Sequence, residues 1–473
     1  MNLVNEMLPS SKVKGSLKAH LAWWEINADN FIIDIIKQGF QLPFSSTPPM
    51  SLTKNNKSAT DNAVFVNETL DQLITNEIIE EWITQPRVVN PLTVAQSGSN
   101  KLRLVLDLRF TNPYVIVDKI KFEDLKSASQ FFTKGCMLNK FDLKSGYHHI
   151  EMHNSYKTFL GFQWCYKGKN RFFVFNVLPF GLNVAGVIFT KVLKTLLKKW
   201  RSQGFKAVLY LDDGIIISDS QEAAFENVIT VRKDLKDAGF IVNEQKSQWL
   251  PSKSLIWLGF VLDSERNAIS IPQHKVLAII DIIISILNNS FISAKQLASI
   301  VGKITALHSA LGRIVYLRTK QCQIWIIKQF SWNYKAFLNE ESKIELTFWK
   351  NNLHTLENQC LITPIQSFTK LIYTDAGANK CGGYIHNIGA TELVQSWTEE
   401  EKKRSSTWRE LKAVVIFLQV HVALLKNQSI KWFTDNQNVV IILSKGSMKI
   451  DLNNLALYVH KICVENQIVI SID

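Results

Sequence analysis

Two adjacent carboxylates, Asp212 and Asp213, interrupt the apolar run AVLYLDDGIIISD that extends from Ala207 to Asp219. An Asp-Gly pair between two apolar runs signals a tight hairpin, since Gly214 can adopt positive φ and Asp213 tolerates it. A hairpin turn needs only one of these acids, so Asp212 requires another reason. Asp142, in LNKFDLKSGYHHI, is a further acid at the end of a strand-like apolar run. If NKFDL lies beside the hairpin, three carboxylates converge, and like charges a few ångströms apart raise one another's pKa unless cations occupy the cluster. Mg²⁺ suits such a place, because it prefers oxygen ligands and is commonly held by one or two carboxylates together with substrate phosphates. Two such ions can activate an attacking 3′-hydroxyl and stabilise a leaving pyrophosphate.

A second acidic constellation lies towards the C-terminus: Asp375 in LIYTDAGANKCGGYI, Glu410 in STWRELKAV and Asp435 in IKWFTDNQ. Acids at the ends of two strands and in the first turn of the helix between them can hold Mg²⁺ for phosphodiester hydrolysis. The competing reading makes Thr407-x-x-Glu410 a capping box, with Asp375 and Asp435 merely opening turns. His148, His149 and His153, in YHHIEMH, read as structural. Adjacent histidines on a strand face opposite ways, and no Cys accompanies them to complete a tetrahedral metal set.

The elements that must position these acids follow from periodicity. HLAWWEINADNFIIDIIKQGF reads as a helix-like aromatic segment, and QLPFSSTPPMSLTKNNKSATDN as a linker or extended wrapping arm. From Val64 to about Ser264, LDQLITNEIIEEW reads helical, whereas KLRLVLDL, MLNKFDL, RFFVFNVL, KAVLYLDD, GIIIS and IWLGFVL read as short strands. Phe189, Val192, Leu193, Leu196, Leu197 and Trp200 recur at helical spacing, with Lys191, Lys194, Lys198 and Lys199 on the opposite, solvated face. Residues 266–365 look mainly helical, opened in part by the capping box Ser293 to Gln296. From about Phe368 a second α/β pattern runs strand TKLIYTDA, strand GGYIHNI, helix STWRELKAVVIFLQVHVALL, strand SIKWFTDN, a helix from Asn438, and a last strand QIVISID.

The bulk numbers fit a folded protein of several domains: 473 residues, 46% apolar and 20% charged. A formal charge of +13 favours a polyanionic partner. The six cysteines show no CxxC pair, which points to a reducing, intracellular compartment, cytoplasm or nucleus, without structural zinc. No signal peptide is visible in MNLVNEMLPSSKVKG. VLAIIDIIISIL contains Asp281 and is too short to cross a bilayer, so no membrane partner is expected and a buried helix is.

FDLKSGYHHI, LPFGL (Leu178 to Leu182), YLDD and WLGF (Trp257 to Phe260), in this order and at these separations, resemble the motifs of a retroelement reverse transcriptase. LRLVLDLRFTN and VNEQKSQW match as well, and the wording, with FIIDIIKQGFQLPF, is closest to DIRS-like, tyrosine-recombinase retrotransposons. The resemblance implies an α+β right-hand polymerase followed by an α/β RNase H-like domain. Its parts would be an N-terminal helix and arm (1–60), fingers and palm (61–265), a helical thumb or connection (266–365) and the RNase H-like domain (366–473). It makes Asp142, Asp212 and Asp213 the acids that hold two Mg²⁺ ions, with Asp142 and Asp212 the more direct ligands. Tyr147 matches the residue that blocks a ribose 2′-hydroxyl, Arg103 the fingers residue that grips the incoming triphosphate, and Lys246 the lysine that protonates pyrophosphate. Phe180 and Gly181 fall where the family lines the nucleotide and template site. Without that family match, Tyr147 reads as aromatic packing in a strand, Arg103 as a surface strand residue, Lys246 as solvated, and Phe180-Gly181 as a turn after Pro179.

Gly186 stands where relatives commonly carry Pro, a change that a helix start tolerates. Asp375, Glu410 and Asp435 match an RNase H Mg²⁺ site, whose further acid lies on a final helix. The chain stops at Asp473, at the end of the last strand, so a truncated module with impaired hybrid cleavage is expected. The function implied is RNA-directed DNA polymerisation from dNTPs on an RNA or DNA template-primer. The alternatives are a catalytically dead, nucleic-acid-binding remnant and an RNA-dependent RNA polymerase, the latter disfavoured by Tyr147 and the RNase H-like tail.

Overall fold

The computed structural model describes residues 12–96, 102–356, 358–362 and 368–473. Residues 1–11, which make up most of the segment MNLVNEMLPSSKVKG, and Lys101, which opens the KLRLVLDL run, lie outside them, as does the 365–366 boundary. The chain divides into two compact units, Met1–Leu258 and Gly259–Asp473.

In the first unit the aromatic N-terminal segment forms two helices rather than one, α1 (Leu21–Asn27) and α2 (Asn30–Gln38). The break comes at Asp29, whose carboxylate caps α2 by accepting from the Ile32 N–H. The Pro/Ser-rich arm then contributes a short strand, β1 (Ser51–Leu52), before helix α3 (Ala63–Thr75). The helical reading of LDQLITNEIIEEW holds only as far as Thr75. Glu77 takes φ 59°, and Ile79–Trp82 becomes strand β2. The left-handed residue ends the helix, and the following four residues pair with β8 (Lys169–Phe175) instead.

The remaining strands are β3 (Val88–Asn90), the hairpin β4 (Leu92–Gln96) and β5 (Leu102–Leu106), β6 (Met137–Asp142) and β7 (Gly161–Tyr166). After helix α4 (Ala185–Ser202) come β9 (Lys206–Tyr210), β10 (Asp213–Ser218), helix α5 (Gln221–Asp237) and β11 (Gln248–Ser252). One sheet has the order β1-β3-β7-β8-β2; the other, β11-β6-β10-β9, carries the acids. α4 and α5 back this second sheet. The whole predicted stripe of α4, from Phe189 to Trp200, is buried. On its far side Lys191 pairs with Asp118 at 2.6 Å, and Lys199 pairs at 2.6 Å with Asp234, which also accepts from the Trp200 indole N–H. Those two lysines are therefore committed to protein carboxylates. The WLGF region is two strands, β12 (Ser254–Trp257) and β13 (Phe260–Asp263), because Leu258 and Gly259 between them take φ 47° and 80°.

The second unit continues with β14 (Ala268–Ser270), α6 (Gln273–Asn288), β15 (Ile292–Ser293), α7 (Ala294–Thr305), α8 (Lys320–Ile327), β16 (Lys335–Ala336) and α9 (Glu340–Asn352). The Ser293–Gln296 capping box forms as read, and VLAIIDIIISIL lies within α6 with Val276, Ile279, Ile283 and Ile286 buried. Next come β17 (Lys370–Ala376), β18 (Lys380–Ile385), β19 (Leu393–Ser396), α10 (Ser406–Leu425), β20 (Ser429–Phe433), α11 (Gln437–Lys445), α12 (Ile450–Glu465) and β21 (Val469–Ile472). They make a five-stranded sheet, β19-β18-β17-β20-β21, whose core gathers Ile372, Trp432, Phe417 and Val459. Among the described residues no helix is long and apolar enough to cross a membrane.

Candidate active site

Asp142 ends β6, and in the antiparallel pairing of β6 with β10 it stands directly opposite Asp213. Side chains of directly paired residues share one face of a sheet, so 70 residues of intervening chain close to a single cross-strand step. Asp213 also pairs with Tyr210 of β9, which leaves Leu211 and Asp212 as the two-residue turn. The sequence reading placed the turn at Asp213-Gly214, one step too far along. Leu211, not Gly214, takes the left-handed φ of 54°. Gly214 sits inside β10 because a Cβ there would lie 2.3 Å from the Phe141 ring. The Leu143 N–H donates to the Asp212 carbonyl at 2.9 Å, and a Cβ on Gly146 would lie 3.2 Å from that of Asp212. The missing side chain at Gly146 thus lets the turn approach β6.

The electrostatics are those of an acidic cluster that nearby cations offset only in part. Burial pushes the Asp212 carboxyl up, and the Asp142 charge adds to that rise. Burial, then Asp212 and Asp142, push Asp213 up to about 6. Lys246 reaches the Asp142 carboxylate at 3.4 Å with its side chain 67% exposed. Its charge and that of Arg103 act on Asp212, and Lys140 and Lys246 act on Asp213. Among the described residues only the other acidic set brings three ligand-type atoms within 4.8 Å of one another, so the Asp142 cluster is the more open of the two. Crowded, part-buried carboxylates are a donor set that fits a hard divalent cation.

Tyr147 lies on a 3₁₀ turn, Gly146–His149, rather than on a strand. Its ring packs against Phe180 at 5.4 Å and Phe189 at 5.6 Å, and its hydroxyl feels the Asp212 charge. Phe180 is 47% exposed. Gly181 takes φ 109°, and a Cβ there would fall 2.2 Å from the Leu106 carbonyl oxygen. Asn112, not singled out from sequence although it closes the LRLVLDLRFTN motif, ties this turn down: its Nδ2 donates to the Gly181 carbonyl, and its Oδ1 accepts from the Asn183 N–H. Arg103 is an exposed residue of β5, paired with Ala95. Gly186 lies in the first turn of α4, where an added Cβ would come 3.3 Å from the Tyr147 hydroxyl. His149 is structural as read, although it lies on the 3₁₀ turn: its Nδ1 meets the Gly146 carbonyl and its Nε2 accepts from the Ile241 N–H. Burial pushes His149 down to about 4.

In the second unit Asp375 of β17, Glu410 of α10 and Asp435, just after β20, bring ligand oxygens within 4.8 Å of one another. The capping-box reading of Glu410 fails, because the N-cap is Ser405, whose hydroxyl accepts from the Trp408 N–H. Glu410 lies in the second turn, is only 5% exposed, and accepts from the Ala376 N–H through Oε1. Its Oε2 is buried and has no hydrogen-bond partner among the described residues, so the donor set fits a cation. Burial first, then Asp375 and Asp435, push Glu410 up to about 7. A cavity of about 500 Å³ opens beside Asp375 and Asp435, lined by the rings of Tyr373, Tyr384 and Phe433.

A raised acid stabilises the fold below its unfolded pKa and loses that contribution as pH rises through its folded pKa. In EDTA, Glu410→Gln should therefore melt higher than the parent at pH 8, with the gap closing as pH falls towards 4.5, the ordinary glutamate value. Melting curves across that range check it; a gap that does not change with pH contradicts it.

Residues 69–262 match the family described as reverse transcriptase (RNA-dependent DNA polymerase). The retrovirus-related Pol polyprotein from transposon gypsy of Drosophila melanogaster is 27% identical over 389 residues, 79% of this chain and 36% of that protein. The enzymatic polyprotein of figwort mosaic virus is 25% identical over 365 residues, 75% of this chain and 52% of that protein. The chain thus spans between about a third and a half of these relatives' lengths. The foamy viral protease-reverse transcriptase in complex with RNA/DNA hybrid superposes with a TM-score of 0.59 at 16% identity, covering 97% of this chain and 62% of that one. The complex of the same viral protein with dsDNA gives a TM-score of 0.56 at 16% identity, covering all of this chain and 98% of that one. The α+β fold read from the motifs, a polymerase followed by an RNase H-like domain, is the fold these neighbours share with the chain.

Proposed function

We propose that this chain, which carries a reverse transcriptase domain of the kind found in retroelement Pol polyproteins, copies RNA or DNA templates into DNA by two-metal nucleotidyl transfer. The observation that carries the reading is the register that sets Asp142 against Asp213 with Asp212 in the adjoining turn. Asp142 and Asp212 are assigned as the direct ligands of two Mg²⁺ ions, and Asp213 as the acid beside them. Mg²⁺ bound there would lower the pKa of the primer 3′-hydroxyl and neutralise charge on the triphosphate.

The reaction forms a bond from the primer 3′-oxygen to the α-phosphorus of a dNTP and breaks the bond from that phosphorus to the pyrophosphate oxygen. Lys246, exposed and already drawn to the acidic cluster, donates a proton to the leaving pyrophosphate. Arg103, whose charge reaches Asp212, binds the triphosphate, since a guanidinium stays charged and offers paired donors to phosphate oxygens. Phe180 and the Gly181 turn border the nucleotide. Tyr147, held between Phe180 and Phe189, fills the space that a ribose 2′-hydroxyl would take. Tyr147→Ala should raise rNTP use relative to dNTP use about tenfold or more, read as the ratio of kcat/KM values; an unchanged ratio removes Tyr147 from sugar selection.

Residues 61–265 are assigned as fingers and palm, 266–365 as thumb or connection, and 366–473 as RNase H-like, with DIRS-like elements as the source favoured by the motif wording. The second triad, Asp375, Glu410 and Asp435, is assigned to divalent-cation binding for hydrolysis of the RNA strand of a hybrid. Template-primer would be held by Lys and Arg contacts to phosphate, in keeping with the +13 charge. Primer extension on an RNA template with Mg²⁺ tests the whole reading. No dNTP incorporation would favour a binding-only remnant, and preferred rNTP incorporation an RNA polymerase.

A further inference from the structure

Between Asp281 and Glu340 the chain has no acidic residue: residues 282–339 hold five lysines and two arginines and no Asp or Glu. One part of this stretch also exposes a concentration of aromatic rings. Phe330 is 95% exposed, Phe337 66%, Trp332 61%, Tyr334 55% and Phe291 52%. These rings are gathered by structure, not only by sequence. β15 pairs with β16 through Ile292–Ala336 and Ser293–Lys335, the Phe291 and Phe337 rings lie 4.2 Å apart, and the Lys295 N–H donates to the Trp332 carbonyl. Lys295, Lys328 and Lys335 are exposed and form no ion pair among the described residues. The nearest acids in sequence are already engaged, Glu340 with Lys343 at 2.6 Å and Glu341 with the Asn339 amide.

We propose that this aromatic and lysine-bearing two-stranded patch of the second unit binds unpaired single-stranded nucleic acid, its rings stacking on bases and its lysines holding the phosphates between them. Leaving rings in water costs hydrophobic free energy, and a surface that does so repeatedly within a few residues has a partner to cover it. Charge decides which partner. A protein face or a second copy of this chain would have to supply the opposite charge, and this stretch offers none in return. A polyanion with aromatic faces meets both needs, and a duplex hides those faces within its own stack. The role is separate from nucleotidyl transfer and does not rest on the assignment of Asp142 and Asp212.

The test uses the full chain and fluorescence anisotropy with labelled (dT)₂₀ and (U)₂₀ oligonucleotides, against a blunt DNA duplex of the same length. Two double variants are compared, Phe330→Ala with Trp332→Ala, and Lys328→Glu with Lys335→Glu; a ring as exposed as Phe330 has little packing to lose, and melting curves confirm the fold. Each should weaken single-strand binding about tenfold or more, with duplex binding changed much less. Asp212→Asn should keep single-strand binding, which separates failure of this proposal from failure of the polymerase reading. Unchanged single-strand affinity in both variants overturns the proposal, and so does an equal loss on duplex. A shift from dimer to monomer in sedimentation with oligonucleotide binding intact assigns the patch to a second copy and likewise overturns it.

Discussion

Asp212→Asn should lower dNTP incorporation by about 10³-fold or more with the fold intact, because an amide removes one of the two charges that anchor the ions and each 1.36 kcal/mol of lost transition-state stabilisation costs tenfold. The expectation has a second side that a merely structural acid would not show. Asp212 sits part-buried beside two other carboxylates, and burial and Asp142 both raise its pKa. In EDTA at pH 8 the variant should therefore be at least as stable as the parent, since a destabilising charge has gone. Single-nucleotide incorporation measured beside a melting curve reads both. Activity within tenfold of the parent, or a large fall in melting temperature, would contradict the assignment.

Gly181→Ala is expected to cost about 3 kcal/mol or more of stability, from two penalties at one position. Its φ of 109° is a conformation that L side chains rarely adopt, and the new methyl would meet the Leu106 carbonyl oxygen at 2.2 Å. Backbone cannot swing aside as a side chain tip can. Movement there would shift the end of β5, which carries Arg103, and would disturb the Phe180 ring that packs on Tyr147. Gly204→Ala is the control. Its φ is 88°, but nothing lies within 4 Å of the added atom, so only the strain of about 1 kcal/mol remains. Urea denaturation of both variants should show the larger loss at Gly181; equal losses would mean that the close approach to Leu106 does not matter.

Much of the first unit was legible because its strands announce themselves by β-branched and aromatic runs, and α4 by its stripe of Phe189, Val192, Leu193, Leu196, Leu197 and Trp200. The misreadings share one cause: local rules were applied where a long-range contact decides. The Asp213-Gly214 pair looks like a turn, yet Gly214 is a strand residue that makes room for Phe141, and the strained position falls on Leu211. EIIEEW continues the apolar spacing of the preceding helix, but pairing with β8 claims it as β2. Thr407 and Glu410 have capping-box spacing, yet Ser405 starts the helix and releases Glu410 to face Asp375 and Asp435. Adjacent residues on a presumed strand would have pointed Tyr147 and His148 to opposite faces; on the 3₁₀ turn both rings pack against Phe180. Asn112 bridges to Gly181 and Asn183 across 69 and 71 residues of chain, and no local pattern announces that.

The most direct test is where a divalent ion binds. In crystals of the full chain with template-primer, a non-extendable primer end, a dNTP and Mn²⁺, anomalous scattering should place manganese between the carboxylates of Asp142 and Asp212, with Asp213 adjacent. Manganese found only at Asp375, Glu410 and Asp435, with the Asp142 and Asp212 side chains turned apart around an empty gap, would contradict the account.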